Sequence, residues 1–239
     1  MRNAFWNKPK LAGLAVAGTL TVAAAVTGGT LSAQASPLPT TSARQTVVDS
    51  QATAHKRVAA TPAGLLVALL RDLPEGDTSN YAGNAASESG NVVTQLMAQT
   101  YLDTGSGPGM LRLAVDYDAA LKNRPVHKPT HKRTKKDKRT GITTTTWTQK
   151  DGDTVTVTRI PDNCVQSLVV SVAHTSGVIT QLDVASCLAW DGTQNPEATE
   201  ALTVKQALRV ADDERLGLKL PKKLVAEGAE RFPNLPSIS

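Results

Sequence analysis

Leu65, Leu66, Leu69 and Leu70 recur at the spacing that lines one face of an α-helix. Thr61 and Pro62 precede them, an N-cap residue followed by a proline at the first helical position. That helix must stop before Pro74; Glu75-Gly76-Asp77 then reads as a turn, and 83–90, small and polar, as loop. From there the period changes to two. Residues 91–102 and 110–117 read as strands, with Leu111, Leu113 and Val115 on one face and Asp103 to Gly109 as the turn between them.

A hairpin follows at 142–149 and 154–158, turned by Lys150-Asp151-Gly152-Asp153. A second one, 166–174 with 178–188, folds around Thr175-Ser176-Gly177. If Thr175 and Ser176 alone form its loop, the register sets Cys164 opposite Cys187, whereas a bulge at Gly177 shifts the pairing by one residue. Thr203-Val204-Lys205-Gln206 has the form of a capping box, with Ala207, Leu208, Val210 and Ala211 behind it. Leu220-Pro221 opens a last short helix through Leu224 and Val225, ended by Gly228, and Phe232-Pro233 and Leu235-Pro236 stop any further helix. The pattern is α+β: an antiparallel sheet of about six strands with short helices at both ends and one disulfide.

The first residues obey a different rule. Arg2, Lys8 and Lys10 precede an apolar run over 11–26, and Ala33-Gln34-Ala35 supplies small residues ahead of Ser36. Positive, apolar and small-residue regions in that order are a secretory signal, 1–35, cut between Ala35 and Ser36; an uncleaved anchor is the alternative, although the run is short and dilute for a membrane span. Residues 36–60, rich in Pro, Thr, Ser, Gln and Ala, then read as a disordered tether, and 61–239 as a single domain. Aromatic residues make up only 3% of the chain, so its core must be aliphatic. In an exported protein the pair Cys164 and Cys187 reads as a disulfide.

Charge divides the chain. Lys122, Arg124, Lys128, Lys132, Arg133, Lys135, Lys136, Lys138 and Arg139 lie within 121–141, opposed only by Asp137, which gives that segment +8. The rest of the chain after residue 35 carries −6. An acidic body thus bears a basic insertion, which its prolines and its lack of apolar residues after Val126 mark as disordered. Three roles suit it: a solvated insertion, an arm for a polyanion such as wall polymer or lipid head groups, or an arm folded back on the acidic body. No aromatics interleave the cations, so base stacking and specific nucleic-acid recognition are not expected.

Candidate chemistry is sparse. Gly105, Gly107 and Gly109 lack the following helix that a phosphate cradle needs. Asp151-Gly152-Asp153 lacks the further oxygen ligands of a calcium loop. His127 and His131 are four apart, but prolines forbid the helix that would align them and the surrounding cations repel a metal. His174 beside a turn reads as a solvated strand-end residue, and Asp116 with Asp118 as surface carboxylates. No nucleophile–base pair can be assembled, and no pattern calls for a metal or a cofactor.

Leu65-Leu66 to Pro74-Glu75-Gly76, Tyr101 to Gly109, the Cys164/Cys187 hairpin, and Ala211 to Arg215 leading to Phe232-Pro233 together resemble secreted proteins of high-GC Gram-positive actinobacteria. That resemblance implies an envelope with one membrane, where export means outside the cell, and carries over no functional residue. The expectation is a non-enzymatic exported or envelope protein whose basic loop contacts anionic surface material. The alternatives are a ligand- or protein-binding module on the sheet near Trp147 and Trp190, and an unrecognised hydrolase. Oligomeric state is not read from this sequence.

Overall fold

Alternating strands from two ends of the chain meet in one sheet. The structure is a computed structural model that describes residues 56–88, 92–122, 128–188 and 197–238. Its elements in order are β1 (Arg57–Ala59), α1 (Pro62–Asp72), β2 (Asp77–Glu88), β3 (Val92–Asp103), β4 (Pro108–Tyr117), α2 (Ala119–Lys122), β5 (Arg133–Lys136), β6 (Thr143–Thr148), β7 (Thr154–Arg159), β8 (Leu168–Ala173), β9 (Val178–Val184), α3 (Val204–Ala211), β10 (Lys219–Pro221) and α4 (Lys222–Arg231). Eight strands form an antiparallel sheet in the order β2-β3-β4-β9-β8-β7-β6-β5, and β1 pairs with β10 separately. Two meanders, β2 to β4 and β5 to β9, are therefore joined edge to edge where β4 meets β9. The chain leaves β4 in the middle of the sheet and returns as β5 at its far edge.

Period-two patterning gives this sheet two unlike faces. Leu96, Leu102, Leu111, Leu113, Val155, Leu168, Val170, Val172, Leu182 and Val184 are buried on one. Over them lie α1, with Leu65, Leu66 and Leu69 fully buried, and α3, with Ala207, Val210 and Ala211. Thr61 caps α1 by accepting from Gly64 N at 3.1 Å, and Thr203 and Gln206 complete the capping box of α3. The buried Thr180 hydroxyl donates to the Ala211 carbonyl, which pins the end of α3 to β9. α4 crosses α1 at backbone contact: a Cβ on Gly228 would come within 2.5 Å of Gly64 N.

The fold class stands, with more strands than the pattern predicts. Asp77 and residues 83–88 of β2 fall where the pattern predicts turn and loop, because this run of Ser, Asn, Ala and Gly has no apolar alternation. It forms an edge strand by backbone pairing to β3, with register shifts after Ser79 and Ala86. The C-terminal tail lies along it: Gly83 N donates to Pro236 O, and the Asn84 amide bonds Ile238 in both directions. β1 corrects the end of the expected tether, since Arg57–Ala59 pairs with Lys219–Pro221. β5 corrects the expected disorder of 121–141, because Arg133–Lys136 is paired in register with β6. Backbone hydrogen bonds form these strands without any apolar face to announce them. The last helix also runs past Gly228 to Arg231.

Cys164 and Cys187 are bonded, with Cα atoms 5.3 Å apart. The hairpin closes with three loop residues, Gly177 taking a positive φ of 93°, so Leu168 pairs with Val184 and the register is shifted by one from the two-residue loop. The cysteines consequently lie beyond the ladder, Cys164 in a short 3-10 turn and Cys187 in an isolated bridge to Glu197. The signal, Ala35, Ser36 and the tether up to residue 55 lie outside the described residues.

Gly228→Ala forces the α1–α4 crossing apart, and overpacking of this kind costs about 2 kcal/mol. The expected result is a melting temperature about 4–8 °C lower by circular dichroism. An unchanged melting temperature would contradict the backbone contact.

Candidate functional site: a cationic sheet edge

The two edges of the sheet are finished differently. The C-terminal tail covers β2, whereas among the described residues β5 has only β6 beside it. Lys128, Lys132, Arg133, Lys135, Lys136, Lys138 and Arg139 are all exposed there, on β5, its approach and its turn. The ion pairs of the described residues use Arg71, Arg159, His174, Arg215 and Arg231 and none of these seven cations. Folding back on the acidic body is therefore not seen among the described residues. Asp137, the one acid in the stretch, accepts from Arg139 N at 2.8 Å and Thr140 N at 3.2 Å, and these backbone donors hold its carboxyl below the ordinary range. Lys122 sits apart, exposed on α2 in the middle of the sheet, and Arg124 lies outside the described residues.

Pairing sorts the edge cations by face. Arg133 stands opposite Thr146 and Lys135 opposite Thr144, on the side of the sheet that no helix among the described residues covers. On the other side Lys132 sits over the ring of Trp147, 4.6 Å from its centroid. Trp147 is partly buried against the core; Trp190 lies outside the described residues. A shallow groove of about 480 Å³ runs along the open side, lined by Thr130, Arg133, Lys135, Thr144, Thr146 and the residues beside them.

Further along the same face, pattern reading misses a polar network. Gln99 Oε1 accepts from Arg112 Nε at 2.6 Å, and Asp183 accepts from Gln166 and Gln181, each at 2.9 Å. Burial raises the Asp183 carboxyl above the ordinary range, against the lowering effect of those amides and of Arg112.

A second cavity, about 700 Å³, opens at the sheet end where the β6–β7 and β8–β9 turns face the loop before β10. Its wall holds His174, which is paired and mostly buried and not the solvated histidine expected. The Nδ1 atom lies 2.5 Å from Asp153 Oδ2, both side chains being 11% exposed, and Asp153 Oδ1 accepts from Thr175 N at 2.8 Å. The register that sets Thr154 opposite Ala173 brings Asp153 and His174 face to face one step further on. An Asp–His–Thr line continues to Thr180, but its Oγ1 is 3.5 Å from Nε2, fully buried, and already donating to Ala211 O. That hydroxyl is no nucleophile, and the dyad joins two turns. Arg57 reinforces the opposite wall by donating to the carbonyls of Glu214, Arg215 and Lys219.

The remaining candidates resolve into local structure. Asp103 Oδ1 accepts from Gly105 N and Gly107 N, so the glycine loop closes on its own carboxylate. Asp116 and Asp118 accept from Tyr117 N and Ala120 N, and Asp151 from Asp153 N. His131 is exposed on the edge, and His127 lies outside the described residues. No three metal-ligating side chains converge among the described residues. Asp72 and Asp213 share Arg215, which ties the end of α1 to the loop after α3; burial and the neighbouring Asp213 raise the Asp72 carboxyl.

No family model, no curated protein and no solved structure matches this chain.

Asp153→Ala removes two bonds to one carboxylate. Charged hydrogen bonds of this kind contribute about 1.5–3 kcal/mol each, not additively, so urea unfolding should show a loss of about 3 kcal/mol. Asp183 behaves oppositely. Because its carboxyl is raised on folding, the protonated form favours the native state, and that contribution is lost as the pH rises through the raised value. Asp183→Asn should therefore flatten the decline in stability from acid to neutral pH. An unchanged pH profile would show that the carboxyl is not raised.

Proposed function

We propose that this chain is an exported or envelope protein that holds anionic surface material, wall polymer or lipid head groups, through the cationic edge of its sheet. The observation that carries this reading is the gathering of seven exposed cations on one edge, with no ion pair among the described residues, beside an otherwise acidic body. Three of those charges lie on β5, and the strand fixes Arg133 and Lys135 on one face, so both meet a polyanion at once without the ordering cost of a flexible loop. Four residues long and cationic, the same edge resists pairing with a second copy of itself. The N-terminal pattern supports the address, and the committed Thr180 hydroxyl weighs against a hydrolase built on His174.

Each cation near an anionic surface contributes about 1 kcal/mol, screened beyond a Debye length of about 8 Å at physiological salt. The purified protein should therefore sediment with isolated cell walls or anionic vesicles at low salt and be released as salt rises. A variant with the cations from Lys128 to Arg139 replaced by Gln and Ser should stay in the supernatant. Salt-insensitive sedimentation, or retention of the variant, would overturn the proposal.

A further inference from the structure

The edge offers more than charge, and this step rests on the reading just given. On the open side of the sheet Thr144, Thr146 and Thr148 of β6 stand opposite Thr158, Thr156 and Thr154 of β7, with Lys135 and Arg133 paired to Thr144 and Thr146 at the rim. Successive side chains on one face of a strand are about 7 Å apart and neighbouring strands about 4.8 Å. The result is a lattice of hydroxyls bounded by two cations. The hydroxyls of Thr144, Thr146 and Thr148 make no hydrogen bond to another described residue, and the groove of about 480 Å³ lies directly over them.

We infer that this groove is a binding site for an acidic polysaccharide, whose anionic groups sit on Arg133 and Lys135 and whose sugar hydroxyls lie on the threonine lattice. A threonine hydroxyl both donates and accepts. A bare polyphosphate offers only acceptors and engages the O–H donor alone, whereas a sugar chain engages donor and acceptor sites alike. Charge complementarity fixes the sign of the ligand, and the hydroxyl array fixes its class. Lys138 and Arg139, out on the turn, add general attraction without touching the groove.

Two charge-matched double variants separate position from charge count: Arg133→Gln with Lys135→Gln, and Lys138→Gln with Arg139→Gln. A third, Thr144→Val with Thr146→Val, removes hydroxyls at constant shape. Binding is measured by calorimetry against polygalacturonate, polyphosphate, anionic vesicles and neutral dextran, with circular dichroism confirming the fold of each variant. The groove pair should weaken polygalacturonate binding about tenfold or more, the loss expected from one charge-assisted contact, and the turn pair much less. The valine pair should weaken polygalacturonate more than polyphosphate. Equal losses from the two charge pairs, or no effect of valine, would overturn the groove while the edge kept its role in polyanion binding. Stronger binding of vesicles or polyphosphate than of polygalacturonate would likewise overturn the glycan. Failure of the wild-type protein to bind any polyanion would remove the underlying reading as well.

Discussion

The pairing of β4 with β9 holds this fold together. Each meander is local and closes through tight turns, but neither covers its own apolar face. Seven successive pairs, from Leu111 opposite Val184 to Tyr117 opposite Val178, fuse them into one eight-stranded sheet. That junction brings Leu113 beside Leu182 and makes a single apolar surface wide enough for α1 and α3 to cover together. The cost is a long closure: the chain must run from the sheet's centre to its outer edge before the second meander begins.

Part of the basic segment makes that connection, and the rest forms β5 and the turn after it. Its position explains its composition in physical terms. Its described residues from 128 to 139 are all exposed, where apolar side chains would face water, and Arg133–Lys136 among them form the strand that closes the sheet. The edges are finished differently because they face different demands. The tail seals β2 through Asn84 and Gly83, whereas β5 stays open and is guarded by charge. An open edge of cations next to a face of free hydroxyls is a surface suited to a hydrated, anionic ligand.

Two acid–base clusters hold the turns and helix ends together. Asp153 with His174 joins the β6–β7 and β8–β9 turns, and Asp72, Asp213 and Arg215 join α1 to the loop after α3. Both lie where turns must be held in register with no strand to pair them. Thr180 completes this arrangement by fixing α3 to β9 from inside the core.

Much of this was legible in the chain itself, because it is local. The capping box at Thr203 and Gln206, the Thr61-Pro62 start of α1 and the Asp151-Gly152 hairpin follow from short-range geometry, and the Cys164–Cys187 bond is the one pairing that two cysteines allow. The cations at 128–139 were also plain in the sequence. Tertiary structure decided what those residues do together. β2 and β5 are strands only because a neighbour offers backbone partners, since neither has an apolar face. Gly177's positive φ set the hairpin register one residue away from the simplest loop. The Asp153–His174 pair and the threonine lattice with Arg133 and Lys135 exist only once several strands are aligned. A sequence specifies the period and charge of each strand, while which strands adjoin is settled by the burial of one shared apolar face.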